Sequence, residues 1–278
     1  MVTQILSAGI EKRKNMIYGC LLKVLQEDGQ DVRAVYERND VKSREKEGLP
    51  LYKGFWKDRG TGTDILISEN GLRLKVDIEN GQKTGYFLDQ KSNRLLIRNF
   101  SSGMRVLDCF THTGGFALNA AKGNALYTEA VDISGSALEE ARLNAELNGL
   151  ESKVNFVQAD VFDYLERIRP GQFDLIILDP PAFTKSRRTI DHAYQGYLRI
   201  NRMAMNILRN GGYLATCSCS RYMENDLFEK MLREAAADEH VVLREISVTR
   251  QNADHPIIWT MAETSYLKFY LFQILEEW

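Results

Sequence analysis

The spacing of apolar residues changes once along this chain, near residue 100, and splits the sequence into two regions of different architecture. In the first, residues 5–27 carry Ile10, Ile17, Leu21, Val24 and Leu25 at helical spacing with a charged block opposite, which predicts one amphipathic helix after a short strand. Farther on, ILISENGLRLKVDI alternates: Leu72, Leu74, Val76 and Ile78 share one face, and Arg73, Lys75 and Asp77 the other. Asn70-Gly71 between these two runs predicts a hairpin, because both turn positions demand positive φ. The intervening YERNDVKSREKEGLPLYKGFW reads as a solvated, charge-rich loop whose embedded aromatics leave nucleic-acid contact open. Residues 1–98 are therefore expected to form a small α+β domain.

From residue 104 strands alternate with helices: MRVLDC, a glycine turn, GGFALNAAKG, ALYTEAVDI, SGSALEEARLNAELNG, KVNFVQAD, VFDYLERI, FDLIILDPP, a helix over 191–209, and GGYLATCSCS. That order predicts an α/β domain over residues 99–278, a mostly parallel sheet with helices on both faces. Ligands of such sheets collect at the carboxyl ends of the strands.

Composition narrows the class. With 278 residues and 44% hydrophobic content the chain can bury a sizeable core, and no apolar run approaches the length of a membrane span. MVTQILSAGIEKRK lacks the cationic-then-apolar order of a secretory signal, so a cytoplasmic location and no membrane partner are expected. The four cysteines, Cys20, Cys109, Cys217 and Cys219, have neither CxxC spacing nor histidine neighbours, so no metal site or disulfide framework is expected. Net charge is −2, but residues 1–99 hold 18 Lys and Arg against 14 Asp and Glu, whereas residues 100–278 hold 18 against 24. A mildly basic front half is compatible with RNA contact and equally with an ordinary surface.

Candidate chemistry gathers at four strand ends. In DCFTHTGGF, Gly114 and Gly115 allow a sharp turn and a close ligand approach. Asp132, closing the next strand, can accept the hydroxyl protons of a ribose or cap the helix starting near Ser134. Asp160 is placed to accept from an exocyclic amine. These ends outline a nucleoside pocket, and the absent GxGxxG argues against a dinucleotide and for a phosphate-free ligand such as S-adenosylmethionine. The fourth end, LDPPAF, has tandem prolines that stiffen the exit and expose Asp179, with Phe183 offering a ring to a flat base. In LATCSCSR, Cys217 and Cys219 are spaced to share a strand face, where inert burial is the ordinary fate of cysteine.

In order and spacing, VLDCFTHTGGF, EAVDIS, NAELNGL, FVQADVFDYL, FDLIILDPPAF and ATCSCS resemble the Rossmann-like class I S-adenosylmethionine-dependent methyltransferases. More narrowly they resemble the RlmI-like enzymes that methylate carbon 5 of a cytosine in large-subunit ribosomal RNA, and AGIEKRK, YERNDVKSREKEGL, GQKTGYFLDQKSNR and QNADHPI extend the resemblance over almost the whole chain. The resemblance implies that Asp108 and the turn from Cys109 and Phe110 through Thr113, Gly114, Gly115 and Phe116 take the methionine side of the cofactor. Asp132 would hold the ribose, and Ile133 and Ser134 belong to the same cofactor site. Asp160 would take the adenine amine, Val161, Asp179 and Pro180 complete the site, and Phe87, Asp89 and Gln90 close over it.

The resemblance further implies a cysteine nucleophile: Cys219 by the family pattern, or Cys217 if the Thr-Cys-Ser order of related RNA cytosine methyltransferases applies. The thiolate would add to carbon 6 and so activate carbon 5, with Asp179 stabilising the charge on the base. Pro181, Phe183, Lys185, Arg187 and Arg188 are the expected RNA contacts. The expected partner is large-subunit ribosomal RNA, and a homodimer is left open. RlmI-like enzymes usually begin with a PUA domain, and Met1 falls where their middle domain starts, so this chain is expected to lack that module. The competing readings are a guanine nitrogen-7 or other base-nitrogen methyltransferase, which needs no thiol, and a non-catalytic cofactor-binding RNA scaffold, which needs neither Asp179 nor Cys219.

Overall fold

Alternation in the front region and helix–strand succession in the back both carry through into the computed structural model, which describes residues 1–184 and 187–276. The chain divides into two units, Met1–Ile67 with Lys75–Phe87 and Ser68–Leu74 with Leu88–Trp278.

In the first unit, β1 (Val2–Thr3), α1 (Ala8–Glu11), α2 (Lys14–Glu27), β2 (Val35–Asn39) and β3 (Tyr52–Lys57) build a three-stranded sheet of order β1-β2-β3 with two helical segments. The single helix expected over 5–27 is broken, because Arg13 leaves helical geometry at φ −112°, ψ 7°. Its buried stripe also differs from the one expected: Tyr18 is buried and Leu22 packs beside it, while Leu21 and Val24 face solvent. The Tyr18 hydroxyl explains the phase, since it bonds Thr3 at 2.8 Å and Glu37 at 3.1 Å and so turns that side of α2 onto the sheet.

The charge-rich stretch is not a loop. It holds β2, buried at all five positions, and β3. Glu37 accepts from Tyr18, Tyr52 and Lys14, and Arg38 donates to the carbonyls of Ile78 and Gly81 at 2.8 and 3.0 Å. Arg44, without solvent exposure, donates to the carbonyls of Pro50 and Ile5 and to Glu11. Charges that satisfy one another can be buried, and composition does not reveal the pairing.

The hairpin β4 (Asp64–Glu69) and β5 (Leu72–Asp77) forms as expected, with φ of 51° at Asn70 and 71° at Gly71 and with Leu72, Leu74 and Val76 buried.

The second unit runs α3 (Lys91–Phe100), β6 (Arg105–Cys109), α4 (Gly115–Lys122), β7 (Tyr127–Asp132), α5 (Gly135–Glu146), β8 (Val154–Gln158), α6 (Val161–Leu165), β9 (Leu175–Leu178), α7 (Ile190–Ile207), β10 (Tyr213–Ser218), α8 (Asn225–Asp238), β11 (Val241–Thr249) and β12 (Lys268–Glu276). Its seven-stranded sheet has the order β11-β12-β10-β9-β6-β7-β8, parallel from β10 to β8. β12 runs antiparallel to both β10 and β11, so the sheet is mostly parallel and the unit is a Rossmann-like α/β domain.

Alternate residues of each strand enter separate cores. Leu107, Ile176, Leu178 and Leu214 pack with Tyr197, Phe228 and Met231 of α7 and α8, whereas Val106, Leu175, Ile177 and Cys217 pack with Ile97 and Phe116 of α3 and α4. Burial on both faces explains why these strands read as continuous apolar runs. Strand order reverses between β6 and β9, which places the switch point of the fold at the carboxyl ends carrying Asp108 and Asp179.

Candidate active site

Asp108 anchors the first turn. Its Oδ2 accepts from Thr111 Oγ1 at 2.6 Å and from the Ala117 amide at 2.8 Å, which pins the start of α4 to the end of β6. Between them Phe110, His112 and Gly114 all take positive φ, 62°, 53° and 84°. A Cβ on Gly114 would lie 3.2 Å from Ala141 Cβ, so only glycine suits this turn. Asp108 Oδ1 is buried with no partner. Burial, assisted by the charges of Asp179 and Asp132, raises its pKa to about 7 despite the two hydrogen bonds. Cys109 is fully buried and its thiol pushed well up by desolvation, so its side chain belongs to the core.

Asp132 receives the His112 amide on Oδ2 at 2.8 Å and the Ser134 amide on Oδ1 at 2.9 Å. It ties the first turn to the second and does not cap α5. Ser134 is that cap, accepting from Ala137 N. Asp160 caps α6, taking the amides of Phe162 and Asp163 on Oδ1, and stays exposed. Ile133 is 67% exposed, an apolar side chain held in solvent beside Asp132, and Val161 is buried.

At the end of β9, Asp179 Oδ1 accepts from Gln90 Nε2 at 3.0 Å. Gln90 and Asp89 are buried, and Tyr266 OH donates to Asp89 Oδ2 at 2.7 Å. Phe87 belongs to the first unit, with Lys83 Nζ 4.8 Å from its ring centre. Pro180 is buried and Pro181 exposed. The Phe183 ring packs 4.7 Å from Tyr197 and 6.3 Å from Phe162, over Gly196, where a Cβ would approach it to 3.1 Å. Packing thus occupies part of the ring expected to face a base. Arg187 opens a 3-10 turn, Arg188 is exposed, and Lys185 lies outside the described residues.

The cysteine doublet does not share one strand face, because β10 ends at Ser218 and Cys219 lies one residue beyond. The chain turns there, with the Ser220 amide donating to Ser218 Oγ at 3.3 Å. Cys217 is fully buried, and desolvation followed by the charge of Asp179 pushes its thiol well up. Cys219 is partly exposed. Since Thr216 is level with Leu178 in the parallel pair β10–β9, Asp179 and Cys219 leave adjacent strands at the same end of the sheet.

Sequence reasoning missed the residues behind these groups. Asn93 holds Gln90, and Lys268 donates to the carbonyls of Ser220 and Met223. Lys268 carried a readable signal, a lysine inside the otherwise apolar run YLKFYLF.

These residues fit S-adenosylmethionine. Asp132 and Asp179 both act electrostatically on the buried carboxylate of Asp108, whose Oδ1 lacks a donor among the described residues, which suits a ligand bearing an ammonium and a sulfonium. Asp132 with the exposed Ile133 suits a nucleoside, and the turn has no phosphate cradle to fill.

A family profile described as S-adenosylmethionine-dependent methyltransferase matches residues 56–260. The chain is 44% identical over 278 residues to the ribosomal RNA large subunit methyltransferase I of Erwinia tasmaniensis, covering 99% of this chain and 69% of that protein. It is 43% identical, over the same shares, to the protein of that name from Yersinia pseudotuberculosis. Among solved structures, one described as a SAM-dependent methyltransferase from Streptococcus mutans aligns with a TM-score of 0.81 at 22% identity, over 98% of this chain and 68% of that one. Trm5b from Pyrococcus abyssi aligns at 0.69 and 19% identity, over 99% and 72%. At such identities the structural likeness concerns the fold alone. Among the described residues, no helix is long and apolar enough to cross a membrane.

Proposed function

The chain belongs to the S-adenosylmethionine-dependent methyltransferase family, among the ribosomal RNA large subunit methyltransferase I proteins, and from that premise we propose that it methylates carbon 5 of a cytosine in large-subunit ribosomal RNA through a covalent cysteine adduct. The observation that carries this reading is the contrast within the doublet: Cys217 is sealed in the core, while Cys219 is partly exposed beyond β10, at the sheet end that also bears Asp179 and Asp132.

Bound S-adenosylmethionine supplies an electrophilic methyl group. Asp108 and the turn through Phe116 hold its methionine side, Asp132 its ribose, and Asp160 its adenine. Cytosine carbon 5 is a weak nucleophile. Addition of the Cys219 thiolate to carbon 6 forms the sulfur–carbon bond and moves the ring electrons toward carbon 5. Asp179, oriented by Gln90, hydrogen-bonds the base at its ring nitrogen, where proton donation from the carboxyl neutralises the negative charge that addition builds. Carbon 5 then takes the methyl group as the methyl–sulfonium bond breaks, with S-adenosylhomocysteine as the leaving group, and loss of the carbon-5 proton to a base expels the thiolate and restores the ring. Pro181, Phe183 and Arg188 border the approach of a base flipped out of its stack.

RNA carrying 5-fluorocytosine tests the reading, because the carbon–fluorine bond blocks the final elimination. Wild type and Cys217→Ser are expected to form a denaturation-resistant complex with it, and Cys219→Ser to form none. Methyl transfer to ribosomal RNA by Cys219→Ser would overturn the proposal in favour of a base-nitrogen acceptor.

A further inference from the structure

Lys268 opens β12 opposite Ser218 of β10, in a pair of strands that carries it to the edge of the Cys219 turn. It is 4% exposed, and its Nζ donates to the carbonyls of Ser220 at 2.7 Å and Met223 at 2.6 Å. A buried ammonium is costly unless it is paired, and carbonyl dipoles compensate it only in part. Burial lowers its pKa to about 8, and two negative groups oppose that shift, Cys219 and Glu224. Glu224 is exposed, so solvent screens it.

Seen from the sulfur, the side chains on which a Cys219 thiolate acts are Tyr197 of α7, Cys217 of β10, Tyr266 and Lys268. Asp179 acts on two of these, Tyr197 and Cys217, and Asp89 holds Tyr266. Of these four groups, Lys268 is the one that bears a positive charge.

We propose that Lys268 is the positioning residue of Cys219: its ammonium clamps the Ser220–Met223 turn that carries the sulfur and serves as the buried counter-charge that favours the thiolate. The clamp and the charge act together. Two carbonyls of one turn drawn onto one nitrogen fix where the backbone leaves β10, and hence where the sulfur stands relative to Asp179. Lys268 touches neither base nor cofactor in this role and works through Cys219. The inference rests on Cys219 being the nucleophile, so its test separates the two.

Alkylation of Cys219 by iodoacetamide, followed by peptide mass spectrometry across pH 6 to 10, reports the thiolate directly and needs no RNA. Lys268→Met, of similar length and uncharged, is expected to move the midpoint upward by at least about one pH unit and to slow alkylation at pH 7 by at least about tenfold. Lys268→Arg is expected to restore most of the rate. Circular dichroism and calorimetric cofactor binding check that each variant is folded, and Lys268→Gln replaces Lys268→Met if the latter is not.

An unchanged alkylation profile in a folded neutral variant overturns the proposal. Failure of both neutral variants to fold overturns it too, since Lys268 would then serve stability alone. If the profile shifts but wild type forms no 5-fluorocytosine adduct, the charge coupling stands and the nucleophile reading falls. If wild type forms the adduct and the profile does not shift, only the role of Lys268 falls.

Discussion

Gln90 donates its side-chain amide to Asp179 Oδ1 at 3.0 Å, joining residues 89 positions apart. The amide cannot flip, because Asn93 Nδ2 donates to Gln90 Oε1 at 2.6 Å and Thr249 Oγ1 in turn donates to Asn93 Oδ1 at 2.6 Å. Each partner leaves the next one orientation, and the direction ends on the Asp179 carboxylate. Gln90→Leu is therefore expected to let Asp179 rotate and to lower kcat by about 10–100-fold, while the cofactor Kd changes by less than about threefold. Steady-state methyl transfer and calorimetry read the two quantities separately, and equal losses in both would show that Gln90 serves the cofactor.

Cys217 is a core residue, so Cys217→Ala is expected to cost about 1 kcal/mol of stability and to leave methyl transfer within a few-fold of wild type. Its raised thiol pKa keeps it protonated at neutral pH. Denaturant melts and rate assays on the one variant check both statements, and a loss of several orders in rate would move the nucleophile to Cys217.

Cofactor binding is expected to release a proton. Asp108 has a pKa of about 7 in the protein, raised by burial, and a cationic ligand beside it favours the ionised form. Affinity should fall as the pH drops below about 7, by at most about tenfold per unit, with the proton release measured by calorimetry in buffers of different ionisation enthalpy. Binding that does not vary between pH 5.5 and 8 would contradict this.

The same shift bears on stability. A carboxyl whose folded pKa lies above its unfolded value binds more protons when folded, so its contribution is full below about pH 4 and is lost as the pH rises through about 7. Asp108→Asn keeps an acceptor for Thr111 and Ala117 and removes that loss. Thermal melts at pH 8 should show it more stable than wild type by roughly 1–3 kcal/mol, with cofactor binding weakened.

Arg94 and Glu69 form a buried two-pronged pair at 2.6 and 2.8 Å. Arg94→Met strands a carboxylate in the interior and is expected to cost about 3–5 kcal/mol, whereas replacing both partners by apolar residues should cost much less. Denaturant melts of the single and double variants measure the difference.

The α/β succession, the hairpin at Asn70-Gly71, and the strand-end carboxylates Asp108, Asp132, Asp160 and Asp179 were legible from the chain. Each follows from local periodicity or turn chemistry, which neighbouring residues settle among themselves. The burial of Glu37, Arg38 and Arg44 was not, because their partners lie far away in sequence and composition marks them as surface residues. The buried face of α2 escaped for the same reason, since Tyr18 takes that face from Thr3 and Glu37.

By itself, then, the sequence determined the layers of the fold and which residues reach the carboxyl end of the sheet, because a strand of period two with a polar exit encodes both locally. Tertiary structure alone decided that Cys217 faces the core while Cys219 lies past the strand, that Asp132 braces a turn instead of capping a helix, and that Lys268 meets a turn 48 residues upstream of it. Burial and charge pairing depend on what the rest of the chain brings alongside, and no local pattern carries that information.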